Sequence, residues 1–144
     1  LKAKVTGLNT ILRNMKIYSE RLKTDLIQQT EKSGTNIERA AKMRVIKDFV
    51  LRQSIFSRMN YQKGVAEVGA TAFHAPYVEF GTGLKVKVPQ GYEEFAMQFY
   101  VNGKGRMSPQ PYLIPSFLEE MTHYKSNIQK LVQKYSGLKS IKRL

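Results

Sequence analysis

An amphipathic run that no proline interrupts constrains this chain more than any other feature. From Leu8 the apolar positions fall at Leu12, Met15, Leu22 and Leu26, with Ile11 and Tyr18 beside them. Spacings of three and four place these side chains on one face of an α-helix. The pattern thins through residues 28–36, where Gly34 lies among polar neighbours, and resumes at Ile37, Ala40, Ala41 and Val45. One long helix is predicted from about Gly7 to Arg44, soft in its middle. About 37 helical residues span roughly 55 Å. A compact domain of this size has a radius of gyration of only about 14–15 Å. Such a helix either breaks near Gly34 or projects and needs a neighbouring subunit.

The rest of the chain reads mainly as short strands and one more helix. Lys2–Leu8 alternates and reaches Gly7, which suits an edge strand. Residues 52–59 and 65–70 are predicted as a hairpin joined by residues 60–64. Tyr77, Val78, Glu79 and Phe80 alternate and stop at Gly81-Thr-Gly83, the pattern of a third strand ending in a turn. Pro76 cannot donate to a ladder, so it fits only the start or edge of that strand. Residues 85–88 and 96–101 alternate around Pro89-Gln-Gly91, which makes residues 82–110 either a second hairpin or a long mobile excursion. The sheet then covers about 52–101. Pro111 and Pro115 bracket Tyr112, Leu113 and Ile114 and lead into a helix over about 115–136. Phe117, Met121, Tyr124, Ile128, Leu131 and Tyr135 form its stripe, widened by Leu118 and Val132. Glu119 and Glu120 open it and Lys130 and Lys134 close it, both in accord with the helix dipole. Gly137 suits its C-terminal cap, and residues 137–144 form a short basic tail. The expected fold class is α+β: a single domain with a long N-terminal helix and a C-terminal helix packed on a mainly antiparallel sheet.

Charge speaks to partners. The chain carries 24 Lys and Arg against 11 Asp and Glu, a net +13, concentrated in the two helical ends. Such an excess favours nucleic acid or an acidic protein surface. With no cysteine, disulfides, thiolate metal sites and a Cys nucleophile are excluded. No stretch reads as a bilayer span or a signal peptide, so no membrane partner is expected, and synthesis in the cytoplasm is. His74 and Glu79 would fall on opposite faces of a strand, and His123 lies on the C-terminal helix, so neither histidine joins a catalytic pair. Glu93 and Glu94 read as solvated. Glu79, inside an apolar run, is expected to be paired with an Arg or capped by backbone amides. No catalysis, cofactor or metal is expected. Basic residues are not striped with aromatics, and no helix-turn-helix or zinc-finger pattern occurs, so any DNA contact would be nonspecific. Lys85, Lys87, Lys104 and Arg106 flank turns and are its candidate carriers.

Tyr77-Val-Glu-Phe-Gly-Thr82, followed by Gln110-Pro-Tyr-Leu-Ile-Pro115, resembles the small tail-completion, or head–tail joining, proteins in the neck of long-tailed siphophages. Val5-Thr-Gly-Leu8 with Leu12, Leu51-Arg-Gln-Ser-Ile55 and Val68-Gly69 follow the same family order. Two departures stand out. Residues 45–50 lack the family's Pro-Val-x-Thr-Gly turn, and Tyr112 replaces the usual Phe. The resemblance implies an α+β subunit of a hexameric ring in the virion neck, either the tail-completion layer or the adjacent tail terminator. It implies contacts with a head-completion (stopper) protein and with the tail terminator or tube, passing DNA, and no catalysis. On it, Tyr77, Glu79, Phe80, Gly81, Thr82, Pro111, Tyr112, Leu113 and Pro115 are candidate motif or subunit-interface residues. The alternative is a basic, nonspecific DNA-binding protein. A small hydrolase ranks a distant third.

Overall fold

The computed structural model describes residues 1–5, 20–98 and 104–136, and for Ser136 only its backbone. Strand β1 (Lys2–Val5) is followed by helices α1 (Glu20–Arg44) and α2 (Phe49–Ser54). Strands β2 (Ile55–Asn60) and β3 (Val65–Ala70) come next, then α3 (Ala75–Phe80), a 3-10 turn (Gly83–Lys85), α4 (Glu93–Met97) and α5 (Leu113–Ser136). The architecture is α+β. Three antiparallel strands in the order β1-β3-β2 pack against the two long helices, α1 and α5.

The hairpin forms because residues 60–64 supply the turn chemistry. Asn60 Oδ1 accepts the Lys63 amide at 3.0 Å, and Gly64 takes φ 62°. β3 is central, with Lys2 opposite Gly69 on one side and Ile55 opposite Ala70 on the other. Ala66 and Val68 turn inward. Glu67 turns outward between its register partners Lys4 and Arg58, and bonds Lys2 at 2.8 Å. That cation lowers the Glu67 carboxyl below its usual range. The upstream limit of the hairpin differs from the expected Arg52, because residues 49–54 are helical. Asp48 caps that turn, its Oδ1 accepting the Leu51 amide at 2.8 Å, and Ser54 Oγ donates to the Leu51 carbonyl.

Helix α1 runs through Gly34 without a break, and the soft middle expected there is absent. Small and polar residues thin the apolar pattern because this is where α1 lies against its neighbours. A Cβ on Gly34 would stand 2.6 Å from Ser57 Oγ and 3.0 Å from Ala66 Cβ, so the glycine lets the helix sit down on the sheet. On the side facing α5, Thr30 Oγ1 meets the Tyr124 hydroxyl at 3.0 Å, and Ser33 Oγ donates to Glu120 at 2.8 Å. Asn36 reaches the same carboxylate. These pairs, with Tyr135 on Asp25 and Arg44 on Glu119, lay α1 and α5 side by side and antiparallel. The predicted helix over 7–19 and the tail from 137 lie outside the described residues.

Leu22, Leu26, Ile37 and Ala41 from α1, Leu51 and Ile55, Val68, and Tyr112, Tyr124, Ile128 and Val132 form the main core. Leu118, placed in the α5 stripe by spacing, is half exposed instead. A second small cluster joins Phe80, Ala96 and Ile114.

Beyond residue 70 the expected strands are replaced. Residues 77–80 form the end of helix α3, with Pro76 in its first turn where no amide bond is lost. Residues 85–88 pair with no strand; the Lys87 amide instead bonds the Phe80 carbonyl at 2.9 Å. Residues 93–97 are helical, started by Glu93, whose Oε2 accepts the Gly91 amide at 2.7 Å. Residues 99–101 of that expected strand lie outside the described residues. Helix α5 opens at Leu113, two residues before the expected Pro115. No helix among the described residues is long and apolar enough to cross a membrane.

Candidate functional site

The two motif segments meet in one unit, and Glu79 joins them. Its Oε2 accepts the amides of Tyr112 at 2.8 Å and Leu113 at 2.9 Å, and its Oε1 accepts that of Ile114 at 2.9 Å. These are the amides that a helix N-terminus leaves without internal partners. The next residue, Pro115, has no amide to satisfy. Four successive residues of the α5 start are thereby accounted for by one carboxylate and one proline. A negative charge there also opposes the positive end of the α5 dipole. Burial pushes the Glu79 carboxyl above its usual range, while the three amides and the Arg44 charge pull it back. Of the two expectations for Glu79, capping by backbone amides is the one the contacts realise. Arg44 itself bonds Ser116 Oγ and Glu119.

Why Glu79 points at α5 follows from the local chain. α3 is a turn and a half, so Glu79 and Phe80 both turn inward while Tyr77 and Val78 stay half buried. Gly81 ends the helix by donating its amide to the Tyr77 carbonyl at 2.8 Å. It adopts φ 80°, and a Cβ there would lie 2.8 Å from the Met107 carbonyl oxygen. Only glycine meets both demands. From that point the segments zip together. The Thr82 amide bonds the Met107 carbonyl at 2.9 Å and the Gln110 amide bonds Val78 at 2.7 Å. Thr82 Oγ1 accepts the Met107 amide at 2.8 Å, and Gly105 lies against the Thr82 side chain.

This zipper gathers the four sequence-predicted cations. Lys85 closes the turn in which its own amide bonds the Thr82 carbonyl. Lys87 bonds back to Phe80 through its amide, and Lys104 and Arg106 flank Gly105. All four side chains are exposed, and none enters an ion pair among the described residues. Pro111 is exposed just ahead of the clamp, Leu113 is buried, and Pro115 lies in the first helical turn.

Tyr112 is 1 % exposed, yet its hydroxyl finds no hydrogen-bond partner among the described residues. Burial, with the Glu79 and Asp48 carboxylates, pushes that phenol far above its ordinary value. The Phe usual in the resembled family would have no such orphan.

Three features escaped the sequence. His74 Nε2 lies 2.8 Å from Asp48 Oδ2, tying the entrance of α3 to that of α2; Asp48 three residues before Leu51 was the cap signal that could have found half of it. The Leu51 amide, then the His74 ring, hold the Asp48 carboxyl below its usual range. Met43, Ile46, Phe49 and Val50 are exposed apolar residues, and the last three line a groove of about 560 Å³ together with Met107 and Gln110. An apolar cleft of about 150 Å³ opens beside α3, between Tyr77, Phe80, Val86, Val88 and Met97.

Both Glu79 oxygens are committed to amides, His74 is committed to Asp48, and no three His, Asp or Glu side chains converge among the described residues. Set against family models, curated proteins and solved structures, the chain matches none of them.

Proposed function

We propose that the chain is a structural subunit of the neck of a long-tailed bacteriophage, forming a hexameric ring that joins the head connector to the tail tube and lets DNA pass. The observation that supports this reading is the Glu79 clamp. The two segments that carry the resemblance lie far apart in sequence, yet Glu79 of the first holds the amides of the second. The residues of the pair divide a mechanical role among them, for Glu79 caps, Gly81 turns, Thr82 zips and Pro115 needs no donor. A motif built for holding suits an assembly part better than an enzyme. On this reading the partners are further copies of the chain, a head-completion or stopper protein and a tail terminator or tube protein. The protein resides in the virion after synthesis in the host cytoplasm.

Lys85, Lys87, Lys104 and Arg106 would face the passing DNA. Their gathering around Thr82 also favours the second reading, a nonspecific DNA-binding protein. Light scattering on a sizing column separates the two. A ring that forms without DNA supports the neck subunit; a monomer that assembles only on DNA supports the alternative and overturns the first. Changing the four cations to Gln should leave the ring intact and reduce the salt dependence of DNA binding, each lost phosphate contact lowering the slope by about 0.9.

A further inference from the structure

The ring reading calls for two different surfaces on each copy, since only a heterologous contact repeated by rotation closes into a ring of more than two. The chain displays one such pair on opposite sides of α3. At 100° per residue, Val78, which lines the groove beside Phe49, points roughly 150° away from the mean direction of Pro76, Tyr77 and Phe80. Those three line the apolar cleft.

The first surface, the knob of the pair, is the exposed apolar rim of that groove, which Ile46, Phe49 and Val50 line. Phe49 is 59 % exposed, and the Arg52 guanidinium lies 5.7 Å from its ring centre. Met43, Ile46 and Val50 lie close to it in sequence, each 65–79 % exposed, and Ile46 and Val50 line the same groove. Together the four leave on the order of 500 Å² of side chain in water, a large share of the ~800 Å² that each partner buries in a stable complex. Lys47 stands exposed among them, in no ion pair among the described residues. The second surface is a hole. Its volume of about 150 Å³ is that of a cavity which takes up one benzene ring. Glu93 lines it, and Glu94, exposed, has no side-chain partner among the described residues. The knob is apolar with two cations, and the hole is apolar with two carboxylates. An isologous pairing of two knobs would oppose like charges; knob to hole opposes unlike ones.

We propose that Phe49 of one copy seats in the cleft beside α3 of the next, with Lys47 and Arg52 facing Glu93 and Glu94. This inference rests on the ring reading and specifies its contact. Phe73 is still more exposed, but its neighbour His74 is taken by Asp48, so it brings no free cation to the carboxylates.

Two surface variants test it. Phe49→Asp destroys the knob and keeps the hole; Glu94→Lys with Met97→Lys destroys the hole and keeps the knob. Both should keep the parent's circular dichroism, which reports that they fold. Light scattering on the full chain should show an oligomer for the parent and single chains for each variant. An equimolar mixture should give a complex of twice the 16.5 kDa chain mass and nothing larger, because each variant retains one complementary surface. A parent oligomer that persists in both variants overturns the knob-and-hole contact while leaving the ring reading standing. So does a mixture that yields no pair. A parent that stays monomeric at every concentration overturns both.

Discussion

Replacing Glu79 by Gln isolates the capping role, because shape is kept and only the acceptor pattern changes. The parent spends two oxygens on three amides, two on Oε2 and one on Oε1. In the variant the remaining carbonyl oxygen can keep the Tyr112 and Leu113 amides. The new –NH2 then confronts the Ile114 amide, donor against donor, in a site only 2 % exposed. An unsatisfied buried donor costs about 1–3 kcal/mol, and the two surviving bonds lose the charge that made them roughly twice as strong as neutral ones. Removing a buried charge returns part of that loss. The net expectation is a destabilisation of about 3 kcal/mol, a fall in melting temperature of about 10 °C at this chain length. Urea unfolding followed by circular dichroism measures it, and the midpoint should drop with the slope unchanged. A variant within about 0.5 kcal/mol of the parent would show that the α5 start does not depend on the carboxylate, and the clamp would lose its claim to hold the two motifs together.

Tyr112→Phe removes an orphan hydroxyl without changing the ring, so the variant should be more stable by about 1 kcal/mol in the same assay; a loss of stability would mean the hydroxyl is satisfied after all. Gly34→Ala should destabilise by about 1–3 kcal/mol despite alanine's better helix propensity, because its Cβ meets Ser57 and Ala66. Adding Ser57→Ala should recover part of that loss, and a Gly34→Ala protein as stable as the parent would refute the close approach. Asp48→Ala should cost about 1 kcal/mol at neutral pH through the lost cap. The folded Asp48 carboxyl lies below its unfolded value of 3.8, so its contribution is present above that pH and fades as pH falls through the folded value. The gap between parent and variant should therefore close in acid, and a gap that stays constant down to about pH 2 would exclude the charged cap.

What the sequence disclosed depended on whether a segment's period was set by one neighbour or by several. α5 was legible because a single apolar stripe faces α1 and the sheet, and only Leu118 strays from it. β2 and β3 were legible because turn residues and alternation agree. The middle of α1 misled because Thr30, Ser33 and Gly34 serve hydrogen bonding and close approach, which thins an apolar pattern without softening the helix. Residues 77–80 misled more completely. Their strand-forming Tyr77, Val78 and Phe80 around one carboxylate mimic a strand, yet they form a short helix whose Glu79 turns inward to a distant helix end. Nothing local announces that partner. The cap on Glu79 was foreseen from its apolar setting, whereas the identity of the amides needed three dimensions. The cations around Thr82 were singled out by their turns, but their convergence depends on a zipper 25 residues long in sequence.

That zipper also sets where the chain tolerates growth. Val78 is bonded to Gln110 and Thr82 to Met107, so the ends of the intervening loop are pinned whatever its contour. For a flexible loop, doubling the length raises the closure cost by only about 0.6 kcal/mol. The exposed bend at Gln90 and Gly91, where an added Cβ at Gly91 would meet nothing within 4 Å, is therefore a port for inserted sequence. A peptide epitope or a small labelled domain spliced there would leave Glu79 on α5 and the core closed. Two residues ahead of Glu93, it would stand at the rim of the apolar cleft, and its accessibility would report whether that cleft is free.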